Sequence, residues 1–507
     1  MTGHPEDAPV PGTSNGPGWN ARATGYRHRV TASGSRAARF GAVAVALLTV
    51  AALPSCGQPA QPPVAAPSET TPSASTPAES TPPAVGTTIG AVSTAEFSPV
   101  SALMDDAIAQ HRLPGAVVQI GHAGKVAFRL AFGERKLAGE PGLDGSPSPG
   151  EPMTEDTIFD LASLTKSIAT ATAVMQLYEQ GRVRLDAPVR TYLPDFNPAN
   201  DPRRGQQVTL RMLLTHTSGI AGDLSLDGPW GLDRADKADG LRRALGAWVV
   251  FEPGALFHYS DINFILVGAI IEKLTGQSID TYVQSHVFRP LGMNDTHYFP
   301  VSKACGRYEV RGNAIAVDPR APEMTDCPAG SWSTDLLTRV APTARDEDTP
   351  ALNPDHGRLL RGTVHDPTAR RMGGATGAAG VFSTAHDVGL FAQALLDRLA
   401  GRPSTFPLTQ STVALMTGPQ QPVPGRDLRG LGWDIDTAHS RPRGTIFPVG
   451  SFGHTGFTGT TLWIDPGSDT YVIVLANVIH QRGGPPIVGL SGEVATAAAR
   501  VLHLYGS

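Results

Sequence analysis

Long apolar runs, cysteine and lysine are all scarce in this chain of 507 residues. The longest uncharged apolar run, residues 40–53, is well short of the roughly 20 residues of a membrane-spanning helix, which excludes a protein that crosses a membrane several times. The formal net charge of −5 argues against a basic nucleic-acid surface. Hydrophobic residues still make up 40% of the chain, so a sizeable core is expected and a wholly disordered protein is excluded.

Residues 1–55 have the pattern of an export signal. Several arginines within residues 27–39 precede the apolar run 40–53, and small residues follow it. The run ends in Leu-Pro-Ser-Cys-Gly, which resembles the cleavage site of bacterial lipoproteins and implies a lipidated Cys56. We therefore expect an extracytoplasmic protein anchored by lipid to a bacterial cell membrane. An uncleaved apolar anchor is the alternative, and it leaves the protein in the same compartment.

Residues 56–96 are rich in Pro, Ser and Thr and contain almost nothing that can be buried, so we predict a disordered linker. Residues 97–507 form the predicted catalytic domain, with an inserted loop region at 301–354. The remaining cysteines, Cys305 and Cys327, lie outside the cytosol in this scheme, where a disulfide persists. Such a bridge stabilises a fold by about 3 kcal/mol. Two free thiols are the alternative.

Both ends of the predicted domain combine a helix with a strand–turn–strand unit. This pattern predicts a single α+β domain whose sheet is assembled from both ends of the chain, with a mostly helical section between them. The predicted elements are a helix at 98–110, strands at 116–120, 126–132, 460–464 and 470–477, and a helix at 491–504.

A helix predicted over 163–180 begins with Ser163 and Lys166. Residues three apart share a helix face, so the amine lies beside the hydroxyl in the first turn. Partial burial near the positive end of the helix is expected to lower the pKa of Lys166, which lets the amine accept the serine proton. Only Lys166, of the few lysines, has a serine three residues before it. A surface pair without function is the alternative.

Two later clusters supply further polar groups. Tyr259 lies in a loop before a predicted helix, together with Ser260 and Asp261, and a phenol placed there can relay protons. His454, Thr455 and Gly456 precede the strand predicted from 460, and the amide just beyond them can complete an oxyanion site. Each cluster alone also fits a packing residue or a glycine-rich strand start.

In this order, Ser-x-x-Lys, Tyr-Ser-Asp and His-Thr-Gly resemble the three motifs of the serine β-lactamase and penicillin-binding-protein superfamily, most closely its class C-related esterases and peptidases. Further similar stretches lie at 213–219, 288–293 and 380–385. The resemblance covers roughly residues 98–506. It implies a β-lactamase/transpeptidase-like fold, in which an antiparallel sheet with terminal helices on one face meets a helical lobe at the active site.

The resemblance also implies roles for the matching positions. Ser163 corresponds to the acylated nucleophile, Lys166 to its base and Tyr259 to a proton-transfer group. The amides of Ser163 and Phe457 correspond to the oxyanion donors, and His454 lines the sheet edge. No metal or organic cofactor is implied.

Two positions depart from the family pattern. His454 stands where a lysine usually holds a substrate carboxylate, and Asp261 stands in place of an asparagine, where it can repel an anion or pair with Lys166. Both changes favour an ester or a neutral amide. We expect His216 to be a packing residue and His386-Asp387 to belong to a helix cap. The role of His365 and Asp366, in a loop before two glycines, stays open.

The sequence therefore predicts an extracytoplasmic serine hydrolase that forms an acyl-enzyme, cleaves a small ester or neutral amide and binds no nucleic acid. A β-lactamase, or a D,D-carboxypeptidase acting on peptidoglycan-derived substrates, is the enzymatic alternative. A cell-wall or β-lactam binding protein without turnover is the alternative from another class.

Overall fold

The computed structural model describes residues 95–316, 318, 320–420, 427–481 and 486–507. These residues belong to one of the two units of the chain, Val85–Ser507. The predicted signal segment 1–55, Cys56 and nearly all of the predicted linker 56–96 lie outside the described residues. Their assignments stay predictions.

The central element of the described residues is an eight-stranded antiparallel sheet in the order β13-β14-β15-β16-β17-β1-β2-β3. Strands from the two ends of the domain meet at its centre, where Val118 of β1 pairs with Val474 of β17. The strands are β1 (Gly115–His122), β2 (Lys125–Lys136), β3 (Glu151–Pro152), β4 (Phe159–Asp160), β5 (His297–Tyr298), β6 (Ala304–Cys305), β7 (Glu309–Arg311), β8 (Ala314–Ala316), β9 (Trp332–Ser333), β10 (Ala344–Arg345), β11 (Leu359–Leu360), β12 (Val381–Ser383), β13 (Leu428–Arg429), β14 (Asp434–Asp436), β15 (Phe452–Gly456), β16 (Thr460–Asp465) and β17 (Thr470–Ala476).

The helices form layers on both faces of this sheet. In the described part of the chain they are α1 (Ser98–Ala109), α2 (Thr172–Glu179), α3 (Pro202–Gln207), α4 (Leu210–Leu214), α5 (Lys237–Leu245), α6 (Asp261–Thr275), α7 (Ile279–Val283), α8 (Pro367–Arg371), α9 (Ala385–Leu399), α10 (Gln410–Thr417) and α11 (Val488–Val501). Two π-helical segments, Lys166–Ala171 and Gln284–Phe288, continue into or out of α-helices.

Alternation along the central strands explains the layers. Val118 and Val474 point to one face and pack with the terminal helices α1 and α11. Their neighbours Val117 and Ile473 point to the other face. There they belong to a second, larger apolar cluster with α9 and with the helices of the helical lobe, which are α2 and α4 to α7. Because both faces are buried, the strands are almost continuously apolar. The α+β fold with terminal helices on one face is confirmed.

Two helices begin at residues other than the predicted ones. The helix predicted over 163–180 begins one residue after Ser163, which lies in a turn, and passes through the π-helical segment before α2. A π-turn has one extra residue, a local geometry that the apolar spacing does not reveal. The last helix begins at Val488 and ends at Val501, earlier than the predicted 491–504.

The inserted region 301–354 contains short strands and 3₁₀ turns instead of long elements. Its β6 and β9 pair in parallel, and Cys305 and Cys327 form a disulfide with their Cα atoms 5.8 Å apart. The predicted pairing of these cysteines is confirmed.

None of the helices in the described residues is by itself long and apolar enough to cross a membrane, although the bent pair Asp261–Thr275 and Ile279–Leu291 meets the length and composition needed.

Candidate active site

Ser163 lies in a tight turn that follows β4 and is fastened to the sheet. Ala162 has a φ of +46°, a conformation that costs energy for any residue with a Cβ. Its amide donates to the Asp160 carboxylate at 2.9 Å. The hydroxyls of Thr458 and Thr460 donate to the carbonyls of residues 160 and 161 at 2.7 and 3.0 Å. The surrounding hydrogen bonds thus hold a strained turn that presents the serine.

Lys166 is fully buried behind this turn. Its Nζ lies 3.0 Å from Ser163 Oγ and donates to the carbonyl of Ala378 at 2.8 Å. It also lies 2.5 Å from Asp261 Oδ1, so the carboxylate at the start of α6 forms an ion pair with the amine. Pairing with Lys166 is one of the roles given to Asp261 in the sequence analysis, and the structure contains this ion pair.

The expected lowering of the Lys166 pKa is wrong. Burial alone would lower it, but the negative charge of Asp261, and then Tyr259, outweigh burial and raise the pKa of Lys166 above its ordinary value. The amine is therefore held as an ammonium ion. The sequence reasoning failed here because it considered the burial of the helix start without the carboxylate that α6 brings to it.

Tyr259 faces the same two groups from the loop before α6. The Lys166 Nζ lies 5.3 Å from the centre of its ring. Burial raises the pKa of the Tyr259 phenol, with the charge of Lys166 opposing. Its ring stacks on His216 with centroids 4.3 Å apart, and His216 Nδ1 accepts the Ser260 amide at 3.1 Å. His216 is thus a packing residue, as expected, and it supports the tyrosine.

The third motif lies along an open strand edge. β14 pairs with β15 at only one position, Gly453, so the edge beyond it faces the cavity. Gly456 permits the close approach of this strand to the serine turn, since an added Cβ would lie 2.5 Å from the carbonyl of Leu161. The amides of Ser163 and Phe457 donate to no carbonyl among the loop and turn hydrogen bonds of the described residues. Both remain available to an oxyanion.

These groups line a cavity of about 170 Å³. Burial, reinforced by the charge of Arg429, lowers the pKa of His454 well below its ordinary value, so this histidine is neutral. Its Nδ1 lies 2.8 Å from the carbonyl of Thr455, to which it donates. The lining residues are Ser163, Tyr259, Arg429, Asp434, His439, His454, Thr455 and Phe457.

The sequence reasoning missed three of these lining residues. Arg429 is 1% exposed; it donates to Asp434 at 3.3 Å, while its Nε and Nη2 have no partner among the described residues. His439 lies against Tyr259, with ring centroids 5.6 Å apart. No motif marks these positions, because the short strands β13 and β14 and the turn after them bring them to the site through the sheet.

The open question of His365 and Asp366 has a structural answer. The His365 amide donates to Asp160 at 2.8 Å, and its ring stacks on Phe457 with centroids 5.6 Å apart. Burial lowers the pKa of His365 to about 4. The Asp366 side chain accepts the Ala369 amide and caps α8. His365 thus contacts the cavity residue Phe457, and Asp366 fixes the start of α8.

His386-Asp387 belongs to a helix start, as predicted: the Thr384 side chain caps α9 by accepting the Asp387 amide. No group of three or more His, Cys, Asp or Glu side chains fit to hold a metal ion occurs in the part of the chain that the structure describes.

Comparison with known proteins shows the family. The family described as Beta-lactamase matches residues 100–484. The esterase EstB of Burkholderia gladioli is 31% identical over 422 residues, which cover 78% of this chain and 94% of the esterase. A putative D-alanyl-D-alanine carboxypeptidase of Escherichia coli K12 is 29% identical over 374 residues, 71% of this chain and 78% of that protein.

Solved structures show the same fold. A penicillin-binding protein homolog from Caulobacter crescentus has a TM-score of 0.56 at 20% identity, covering 80% of this chain and 97% of that one. A class C β-lactamase from Rhodobacter sphaeroides has a TM-score of 0.53 at 23% identity, covering 80% and 99%.

Fold and relatives together define a serine hydrolase of the kind that includes esterases, β-lactamases and D-alanyl-D-alanine carboxypeptidases. The chain belongs to the β-lactamase family.

Proposed function

We propose that the protein hydrolyses small esters or neutral amides through an acyl-enzyme on Ser163. The observation that carries the proposal is the 3.0 Å contact between Lys166 Nζ and Ser163 Oγ at a cavity that Tyr259 and an open strand edge also line. In this scheme the Ser163 oxygen attacks the carbonyl carbon, and the amides of Ser163 and Phe457 stabilise the oxyanion. Tyr259 assists proton transfer to the leaving group.

The preference for an uncharged substrate rests on two side chains. Asp261 adds a negative charge beside the nucleophile, and the neutral His454 supplies no positive charge at the strand edge. An ester or amide without a carboxylate next to the scissile bond avoids both problems. We further propose that the enzyme works outside the cytoplasm, held by lipid at Cys56, because residues 1–56 have the pattern of a lipoprotein signal.

The test uses short-chain nitrophenyl esters and the purified protein. Ser163→Ala should remove turnover, and Lys166→Ala should lower kcat/KM by about 10²–10⁴-fold, the range for a lost proton-transfer group. Ser101→Ala, on α1 against the opposite face of the sheet, is the matched control and should keep full activity. Intact mass after a fluorophosphonate should show one adduct that Ser163→Ala lacks. Turnover by Ser163→Ala would refute the assignment.

A D,D-carboxypeptidase is the second candidate, and Arg429 is the observation that favours it. This buried cation lies in the cavity wall, and two of its nitrogens, Nε and Nη2, have no hydrogen-bond partner in the described residues. Such a group suits a carboxylate. Release of D-alanine from a peptide ending in D-alanyl-D-alanine, but not from its amide, would support this activity. Covalent labelling by penicillin without any turnover would instead support a binding protein.

A further inference from the structure

The ion pair between Lys166 and Asp261 creates a chemical problem that the proposed function leaves unsolved. Lys166 contacts Ser163 at 3.0 Å, yet the carboxylate 2.5 Å away holds its amine as an ammonium ion. An ammonium ion has no lone pair with which to accept the serine proton. The amine must first lose a proton, and Asp261 is the neighbouring group that can take it.

Asp261 lies between the buried Lys166 and the more exposed loop 221–223. Its backbone amide donates to the carbonyl of Gly222 at 2.8 Å, and the Ser260 hydroxyl donates to the carbonyl of Ala221 at 2.6 Å. These two bonds place the loop 221–223 beside the start of α6, where the charge of Asp261 acts on the neighbouring Asp223 carboxyl. Exposure rises along the series: Lys166 is fully buried, Asp261 is 22% exposed and Asp223 is the most exposed of the three.

We propose that Asp261 and Asp223 form a proton relay that connects Lys166 with solvent and frees its amine to activate Ser163. The inference rests on the proposed roles of Ser163 and Lys166. Asp223 touches no reacting atom, so it is a positioning residue that acts through Asp261.

The relay moves one proton from Lys166 to water. Lys166 gives one proton to the Asp261 carboxylate, which leaves a neutral amine beside a carboxylic acid. As Ser163 Oγ forms its bond to the substrate carbonyl carbon, its hydroxyl proton moves to this amine and the carbonyl electron pair moves to the oxygen. The proton on Asp261 passes to Asp223 and then to water. When the bond to the leaving group breaks, the serine proton that Lys166 holds passes to that group, directly or through the Tyr259 hydroxyl, and the amine is neutral again.

The surrounding charges set the direction of the pH effect. Asp223 faces Asp261, Asp366 and Lys166, and Lys166 also faces Tyr259, His216 and His454. Desolvation, and then the charge of Asp261, raise the pKa of Asp223 to about 7. Below this pH the protonated Asp223 donates to Asp261 and makes it a weaker acceptor. Above it Asp223 is a carboxylate that can take the proton from Asp261, so activity should rise with pH through neutrality.

The experiment is the pH profile of kcat/KM for a neutral nitrophenyl ester, measured on the full chain across neutrality. Wild type should show an ascending limb near neutral pH. Asp223→Asn should displace this limb and lower kcat/KM above it on the order of tenfold, the effect of about one pKa unit. Asp223→Glu keeps a carboxyl group and should restore both limb and rate. The matched control is Asp227→Asn, which changes an exposed aspartate four residues after Asp223. This variant should keep the wild-type profile.

An Asp223→Asn profile that overlays the wild-type profile would overturn the relay, as would an equal displacement by Asp227→Asn. Failure of the underlying function gives a different result. In that case Ser163→Ala retains turnover in the same assay, whereas a failed relay leaves Ser163→Ala inactive and the ascending limb of Asp223→Asn in place.

Discussion

Replacing Asp261 with asparagine should return Lys166 to the state of a free base. The carboxylate lies 2.5 Å from the amine, and at an effective dielectric constant of about 20 this attraction is roughly 7 kcal/mol. The loss of this attraction therefore lowers the pKa of Lys166. Complete burial of the amine acts in the same direction, and Tyr259 opposes it. The amine should be neutral around physiological pH.

Two consequences can be measured on Asp261→Asn. The ascending limb of kcat/KM should move to lower pH, because the amine no longer needs to give up a proton first. Substrates that carry a carboxylate, such as a coloured cephalosporin, should gain relative to a neutral ester, because the repelling charge beside the nucleophile is gone. In this background Asp223→Asn should have no further effect, since the relay has lost its first acceptor.

Asp239→Asn is the control for the loss of an acidic residue from a helix start. Asp239 lies in the first turn of α5, as Asp261 lies in the first turn of α6, but it pairs with the surface arginines Arg242 and Arg243. Its profile should match that of wild type. If the ascending limb of Asp261→Asn also coincided with wild type, the ion pair would not control the protonation of Lys166, and the reasoning would be refuted.

Three further outcomes follow from the packing. Gly456→Ala places a Cβ 2.5 Å from the carbonyl of Leu161, so the serine turn must shift and kcat on the ester should fall about 10²-fold; a change within twofold in steady-state assays would contradict this. Replacing Cys305 and Cys327 by serine should lower the free energy of unfolding by about 2–4 kcal/mol in denaturant titrations, with kcat unchanged. Burial lowers the pKa of His480 to about 4, and its Nε2 accepts the backbone amide of Leu137. Stability should therefore fall as pH drops from about 6.5, where the unfolded histidine gains its proton, to about 4, and His480→Asn should flatten this decline in acid unfolding curves.

Local patterns were enough to predict the fold and the three motifs. The strand–turn–strand units at each end of the domain and the helices beside them appear in the apolar spacing, because hydrogen bonds and side-chain contacts between near neighbours specify them. The proximity of Ser163 and Lys166 follows in the same way, since three residues along a helical turn bring two side chains together. The pairing of Cys305 with Cys327 was predicted from the two cysteines left after Cys56 and from the expected location outside the cytosol.

Local patterns could not predict the charge state of the site, because it depends on groups that come together only when distant segments pack. Asp261 and Asp223 lie far along the chain from Lys166, and Arg429 and His439 lie farther still, in β13 and in the turn after β14. Their spacing in the chain says nothing about distance in space. Electrostatic energy falls with that distance and rises with burial, and both are products of folding. Whether Lys166 carries a proton is therefore decided by tertiary contacts, and the reactivity of Ser163 follows from it.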